Sequence, residues 1–230
     1  MTRTLAIIPA RSGSKRVPHK NRREFLGKPL ILWTIEFALS QPAFDSVVVS
    51  TDSEIIASIS RSAGALVPYL RSSDLASDNA TSVDVALDVL DRMASKSFDR
   101  VALLQPTTPV RFIERWHVAS DLIDAGADSV VGVRFVTDHP YWTYFLSPDD
   151  GIEACNPTGR ALRSQDLPVA VVPNGSLYLI RSNVLRSKRM FVAGSSRAVV
   201  CSDPIESIDI DTEEDWMQAE NLVSNWKAGI

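Results

Sequence analysis

The sequence predicts an α/β protein, a mainly parallel sheet with helices on both faces, and three observations carry that prediction. Short runs dominated by Val, Ile and Leu, at residues 5–10, 46–50 and 100–105, read as buried strands. Between them, residues 30–39, 53–63 and 82–93 place apolar side chains three and four apart, the period of a helix packed on one face. The regular alternation of the two patterns is that of strand-helix-strand units, whose strands are covered on both sides.

Residues 129–134 read as a further strand, and His117, ahead of it, falls in a helical stretch where it is expected to be structural. From about 135 to 168 the helical signal lapses. Pro140, Pro148, Asp149-Asp150-Gly151 and Pro157 punctuate a stretch that carries Phe135, Tyr141, Trp142, Tyr144 and Phe145, so hairpins or an extension are expected. Aromatic residues gathered outside a regular core tend to meet a partner surface, which makes this an expected oligomerisation element. The core resumes at 176–180, and 212–226 reads as a closing helix with acids in its first turn. With 230 residues, 45% of them hydrophobic, the chain fits one domain over 1–230 with that extension at about 135–168.

A net charge of -4 and a pI near 5.4 argue against a general nucleic-acid binder. Cys155 and Cys201 lie far apart and match no metal spacing. No apolar segment is long enough to span a bilayer, and no signal-type apolar stretch precedes the first strand. The expectation is a soluble cytoplasmic protein with reduced thiols and no membrane partner.

The chemistry begins where the first strand breaks into Arg11-Ser12-Gly13-Ser14-Lys15-Arg16-Val17-Pro18-His19-Lys20-Asn21. A small-residue loop after a buried strand, with cations and free backbone N–H groups converging, suits phosphates. The spacing is neither that of a Walker loop nor of a three-glycine dinucleotide fingerprint. Arg11, Lys15 and Lys20 are natural partners for triphosphate oxygens, Asn21 can hydrogen-bond ribose or phosphate, and Arg16 is expected to be solvated. Asp209 and Asp211 flank Ile210. In an extended segment both carboxylates point to one side and can face one magnesium ion; alternatively, Asp211 or Thr212 caps the closing helix, with Glu214 or Asp215 completing the box. Arg71 precedes Ser77-Asp78-Asn79-Ala80-Thr81-Ser82, whose small polar groups suit a base and ribose, or a helix cap formed by Ser77, Asp78 or Thr81. Gln105 closes a buried strand with an amide that can both donate and accept. The histidines do not cluster, and no nucleophile triad or zinc set is visible.

Four blocks, in order, carry a resemblance across almost the whole chain. They are Ile7 to Asn21 with Leu26-Gly27-Lys28-Pro29-Leu30; Leu70-Arg71 with Leu75-Ala76-Ser77-Asp78; Leu103-Leu104-Gln105-Pro106-Thr107-Thr108-Pro109-Val110-Arg111; and Ser207-Ile208-Asp209-Ile210-Asp211-Thr212. Together they resemble the acylneuraminate (CMP-sialic acid synthetase) cytidylyltransferases. The resemblance implies a Rossmann-like nucleotidyltransferase fold and a magnesium-dependent transfer of CMP from CTP to a nine-carbon 2-keto sugar acid. It implies nucleotide contacts at Arg11, Lys20, Asn21, Arg71, Ala80 and Ser82, metal binding by Asp209 and Asp211, and sugar contacts at Gln105, Asn174 and Tyr178. It also implies a homodimer whose extension reaches the neighbouring active site.

This chain departs from the family pattern at three places. Ser12-Gly13 stands where many members have two glycines, which is less comfortable if position 12 needs a positive φ. Trp142 and Val172 stand where sialic-acid enzymes typically carry a lysine and an arginine, leaving Arg163 as the candidate clamp for the sugar carboxylate. Losing two cations and gaining an indole suits a less polar acceptor, of the legionaminic type. The rival readings are a cytidylyltransferase for another sugar, such as eight-carbon Kdo, and a non-catalytic nucleotide-binding or RNA-binding protein.

Overall fold

The computed structural model describes residues 2–156 and 163–228. Its central sheet has six strands: β1 (Thr4–Pro9), β4 (Ser46–Ser50), β5 (Arg100–Leu103), β6 (Ser129–Phe135), β9 (Val171–Arg181) and β10 (Ser196–Val200), in the order β10-β6-β9-β5-β1-β4. Strand β1 pairs in parallel with β4 and β5, and β10 with β6. Strand β9 runs antiparallel to both β5 and β6, so the sheet is mixed. The mainly parallel prediction holds for the other five strands. The reversal of β9 follows from the chain leaving the sheet after β6 and re-entering from the same end.

Two layers of helix cover the sheet. On one face α1 (Leu30–Ser40), α2 (Glu54–Ser62) and α4 (Ile113–Asp124) bury Ile31, Ile35, Ile56, Ala57, Trp116 and Ile123 against Ala6, Ile8, Val49 and Leu177. On the other, α3 (Ser82–Arg92) and α5 (Ser182–Lys188) bury Ala86, Val89, Leu90 and Leu185 against Leu5, Ile7, Val101 and Ile180. Neighbouring β1 residues thus serve opposite cores, the reason this strand is apolar throughout. Element α5 and strand β10 carry no strong sequence signal: they are short, and β10, at the sheet edge, leaves Arg197, Ala198 and Val200 exposed. His117 does lie in a helix, but on the exposed face of α4.

A third core sits at one end of the sheet. The small ribbon β2 (Glu24–Phe25) and β3 (Lys28–Pro29) and the closing helix α6 (Glu213–Ala228) enclose Val17, Phe25, Leu30, Val110, Ile208, Ile210 and Trp216. Phe25 stacks edge-on against Trp216, with ring centroids 5.4 Å apart.

Beyond the sheet, β6 and β9 continue to pair as far as Phe135 and Val171, and β7 (Tyr144–Leu146) and β8 (Ile152–Ala154) form a separate antiparallel hairpin. His139 pins the base of this extension: its Nε2 lies 3.0 Å from the Pro168 carbonyl and its Nδ1 accepts from the Tyr141 N–H. No helix among the described residues is long and apolar enough to cross a membrane.

Ile210 is fully buried in the third core. Truncating it to alanine removes three carbons from a packed site, so Ile210→Ala is expected to lower unfolding stability by about 2–5 kcal/mol. Denaturant titration at constant m-value checks this, and a loss within error of zero would contradict the packing described.

Candidate active site

A cleft of about 500 Å³ opens over the ends of β1 and β5. Ligand sites of open α/β sheets lie at the carboxyl ends of parallel strands. The first loop, the start of α3, the Gln105–Thr107 segment and Asp211 all line it. The structure thus brings Arg11, Lys15, Lys20, Asn21, Arg71, Ala80, Ser82, Gln105 and Asp211 into one cavity, from segments up to 200 residues apart.

The first loop is held from three sides. Ser12 donates to Asp52 from both its N–H (2.8 Å) and its hydroxyl (2.5 Å). Burial works to raise the Asp52 carboxyl, but these hydrogen bonds and the nearby Arg71 hold it below the ordinary value. Position 12 does not take a positive φ, so serine is comfortable there. The strained residue is instead His19, at φ 58°, whose carbonyl accepts from Arg22 and Arg23 and turns the chain so that Lys20 faces inward. The Asn21 amide donates to the Arg11 carbonyl at 3.0 Å and ties the two ends of the loop together. Lys20, with a side chain only 11% exposed, donates to the Ile210 carbonyl (2.6 Å) and to Asp211 (3.0 Å).

Arg71 forms the floor. It is 6% exposed, its Nε has no hydrogen-bond partner among the described residues, and burial lowers its pKa, partly offset by Asp52. A buried guanidinium with donors to spare is suited to an anionic or carbonyl-bearing ligand. Above it, Thr81 caps α3 in a reciprocal box with Asp84, which accounts for the capping alternative and leaves Ala80 and Ser82 on the cleft wall. Asp78 bridges Arg11 (2.8 Å) and Lys15 (2.5 Å).

The choice between cap and ligand for Asp211 is also decided. Thr212 and Asp215 make the capping box of α6: Asp215 accepts from the N–H groups of Asp211 and Thr212, and the Thr212 hydroxyl accepts from the Asp215 N–H. The Asp211 carboxylate is therefore available to the cleft, where Lys20 and Arg16 approach it at 3.0 Å each. Arg16 was expected to be solvated; it is largely exposed, yet it joins the cleft wall. Ile208 and Ile210 point into the third core, which turns Asp209 and Asp211 outward together, though Asp209 does not line the cavity itself. Asp209 acts on Tyr178 instead. Burial first, and the Asp209 charge second, push the Tyr178 hydroxyl above its ordinary pKa, while its ring packs against Phe191.

The sugar-side residues divide. Gln105 lines the cleft. Asn174 is buried below it, its amide donating to the Glu206 carbonyl (3.0 Å) and its oxygen accepting from Ser176, so its side chain braces the loop that leads to Asp209. Gly175 stands between, at φ 80°; a Cβ there would come within 3.1 Å of the Gln105 side-chain oxygen and 2.9 Å of the Thr108 hydroxyl. Arg111, which closes the third resemblance block without a role of its own, is buried, and burial pushes its pKa down to about 9. It donates to the Gln105 carbonyl (2.6 Å), the Ser176 carbonyl (3.0 Å) and Thr34, clamping β5 to β9 beneath Gln105. Its signal in the sequence is an arginine between Val110 and Phe112, just after Pro109. Arg163 does not join the cleft: it is exposed and pairs with Asp166 at 2.7 Å.

A sheet of this topology with a cationic loop, a buried arginine and an outward carboxylate over one cleft defines a nucleotidyltransferase. The cytidylyltransferase family model matches residues 5–142. The CMP-N,N'-diacetyllegionaminic acid synthase of Legionella pneumophila is 36% identical over 229 residues, 96% of each chain. An N-acylneuraminate cytidylyltransferase of Streptococcus agalactiae is 33% identical over 93% of this chain and 51% of its own length. Among solved structures, CMP:2-keto-3-deoxy-manno-octonic acid synthetase complexed with CTP superposes with a TM-score of 0.72 over 97% of this chain and 99% of its own, at 16% identity, a likeness of fold. The chain belongs to the acylneuraminate cytidylyltransferase family.

Asp211→Asn keeps the shape, and the Thr212–Asp215 box remains. Turnover should fall by about two orders of magnitude, while the melting temperature moves by less than about 2 °C. Pyrophosphate-release rates beside thermal unfolding check this, and a fully active variant would contradict it.

Proposed function

We infer that the protein transfers CMP from CTP to the anomeric hydroxyl of a nine-carbon nonulosonic acid and releases pyrophosphate. The observation that carries this reading is the convergence of the first loop, the 71–82 segment and Asp211 on one cleft. The anomeric oxygen attacks the α-phosphorus in line as the bond to the β-phosphate breaks, so alignment and charge neutralisation supply the catalysis. Arg11, Lys15 and Lys20 offset charge on the triphosphate and the departing pyrophosphate. Asn21, Arg71, Ala80 and Ser82 hold the nucleoside end, and Gln105 and Tyr178 face the sugar, with Asn174 bracing their support.

Asp209 and Asp211 offer hard oxygen donors on one side of an extended segment. No group of three or more metal-ligating side chains occurs among the described residues. Two carboxylates nevertheless fit magnesium, which keeps several waters and takes its remaining ligands from substrate phosphates. When bound, magnesium would polarise the α-phosphate.

The acceptor we propose is of the legionaminic type. The Legionella relative is named for legionaminic acid, and Trp142 and Val172 stand where the family resemblance implies two cations for a sialic-acid carboxylate. Pyrophosphate release measured over a panel of nucleotides and keto-acid sugars should show CTP strongly preferred over ATP, GTP and UTP. In the same panel, legionaminic acid should match or exceed N-acetylneuraminic acid in kcat/KM. A tenfold preference for N-acetylneuraminic acid would overturn the acceptor assignment, and equal use of purine nucleotides the base assignment.

We also propose a homodimer built through the extension at about 135–168. Phe135, Phe145, Leu146, Ile152 and Val169 are all more than half exposed there, which is costly for a surface left in water. Such a dimer would give Arg163 a route to the neighbouring cleft as a carboxylate clamp. Light scattering at micromolar concentration should report twice the chain mass; a monomer would refute the proposal.

A further inference from the structure

Each oxygen of the Asp78 carboxylate faces one cation of the first loop. Oδ1 accepts from the Arg11 guanidinium at 2.8 Å and Oδ2 from the Lys15 ammonium at 2.5 Å, and all three residues line the cleft. Among the described residues the Asp78 side chain pairs with these two cations. Asp78 lies between the turn Asp74–Ala76 and α3, whose cap is made by Thr81 and Asp84, and among the described residues its side chain accepts no backbone hydrogen bond. A carboxylate that holds an arginine and a lysine through separate oxygens presents them with the charge and spacing of a phosphate edge.

We propose that Asp78 is an electrostatic latch of the reaction cycle, a residue that occupies the phosphate-binding donors of Arg11 and Lys15, yields them to the triphosphate, and reclaims them as pyrophosphate leaves. This deepens the function proposed above and rests on its assignment of Arg11 and Lys15 to the phosphates. The same donor hydrogens cannot serve the carboxylate and a phosphate oxygen at once, so Asp78 and the triphosphate compete. The pairs are also open to solvent: the side chains of Arg11, Asp78 and Lys15 are 38%, 51% and 79% exposed. Exposed ion pairs are weak, so the latch lowers nucleotide affinity by a modest factor and does not block the site. The Lys15 and Arg11 hydrogen bonds hold the Asp78 carboxyl below its ordinary pKa, so it is charged at neutral pH.

The remaining pairings in the cleft argue for a division of labour. Asp211 holds Lys20 and Arg16 at the side where Asp209 stands, and serves the metal in the reading above. Asp78 holds the other two cations of the first loop, Arg11 and Lys15, just ahead of α3.

The test is Asp78→Asn, which keeps the shape and removes the charge, with Asp78→Ala as a second variant. Calorimetric titration with CTP should show the dissociation constant falling about threefold to tenfold in both. Pyrophosphate should become a stronger product inhibitor by a similar factor, with the KM for the sugar acid unchanged. Raising the salt concentration should narrow the gap from wild type, because screening weakens the competing pair. In an Arg11→Gln, Lys15→Gln background the effect of Asp78→Asn should vanish. CTP affinity that is unchanged or weaker in both Asp78 variants overturns the latch. If Arg11→Gln with Lys15→Gln leaves CTP affinity intact, the phosphate assignment itself falls and the latch with it. If those substitutions weaken CTP and the Asp78 variants do not tighten it, the latch alone is wrong.

Discussion

The site depends on what happens at Ile210. Its side chain is fully buried among Val17, Phe25 and Trp216, its N–H donates to the Thr107 carbonyl at 2.9 Å, and its own carbonyl accepts from Lys20 at 2.6 Å. Three segments distant in sequence, the first loop, the turn after β5 and the segment that carries the aspartates, therefore meet on one residue. Because side chains alternate along an extended segment, burying Ile208 and Ile210 obliges Asp209 and Asp211 to face outward. Hydrophobic packing behind the wall thus sets the direction of the carboxylates in front of it. The closing helix completes this small core, with Phe25 against Trp216 and the Arg23 guanidinium 4.3 Å from the Trp216 ring.

Charge in the cleft is arranged in layers. At the mouth, the flexible cations Lys15 and Arg16 and the acids Asp78 and Asp211 remain in reach of solvent, where pairing is weak and readily exchanged. Deeper, Arg71 and Arg111 are buried, and their burial lowers the pKa of each. Their surroundings differ. Arg71 has the Asp52 charge as its main compensation and, among the described residues, an unpartnered Nε, so it keeps capacity for a ligand, whereas Arg111 spends its donors on two carbonyls and a hydroxyl and acts as a clamp. A nucleotide site gains from both: a rigid frame reduces the ordering cost of binding, and exchangeable pairs at the mouth let anions enter and leave.

The reversed strand β9 links the cleft to the extension. It enters beside β6, shifts register near Gly175 and passes Tyr178 opposite Leu103 before ending at Arg181, paired with Arg100 within the sheet. Its first residues belong to the ribbon that bears the exposed aromatics, and its next ones support Gln105. One strand therefore joins the base of the extension to the segment beneath Gln105.

Read alone, the chain disclosed four of the five parallel strands, the cationic loop that follows the first of them, the aspartate pair facing one side and the departures at Trp142 and Val172, because these depend on local periodicity and residue type, whereas β10, short and at the sheet edge, carried no such signal. It left open whether Asp211 or Thr212 capped the last helix, since both have capping chemistry; only the packed structure assigns the cap to Thr212 with Asp215 and turns Asp211 to Lys20. It also gave no sign that β9 reverses, that His19 rather than Ser12 takes the left-handed backbone, or that Asn174 spends its amide on Glu206. Asp78 read as a candidate helix cap or a base-and-ribose contact, and neither reading pointed to its pairing with Arg11 and Lys15. A local pattern fixes which face of a strand or helix is apolar, but the partner of a charged or amide group is chosen by chain segments tens to hundreds of residues away, and that choice exists only once the sheet, its third core and the loops above them have packed.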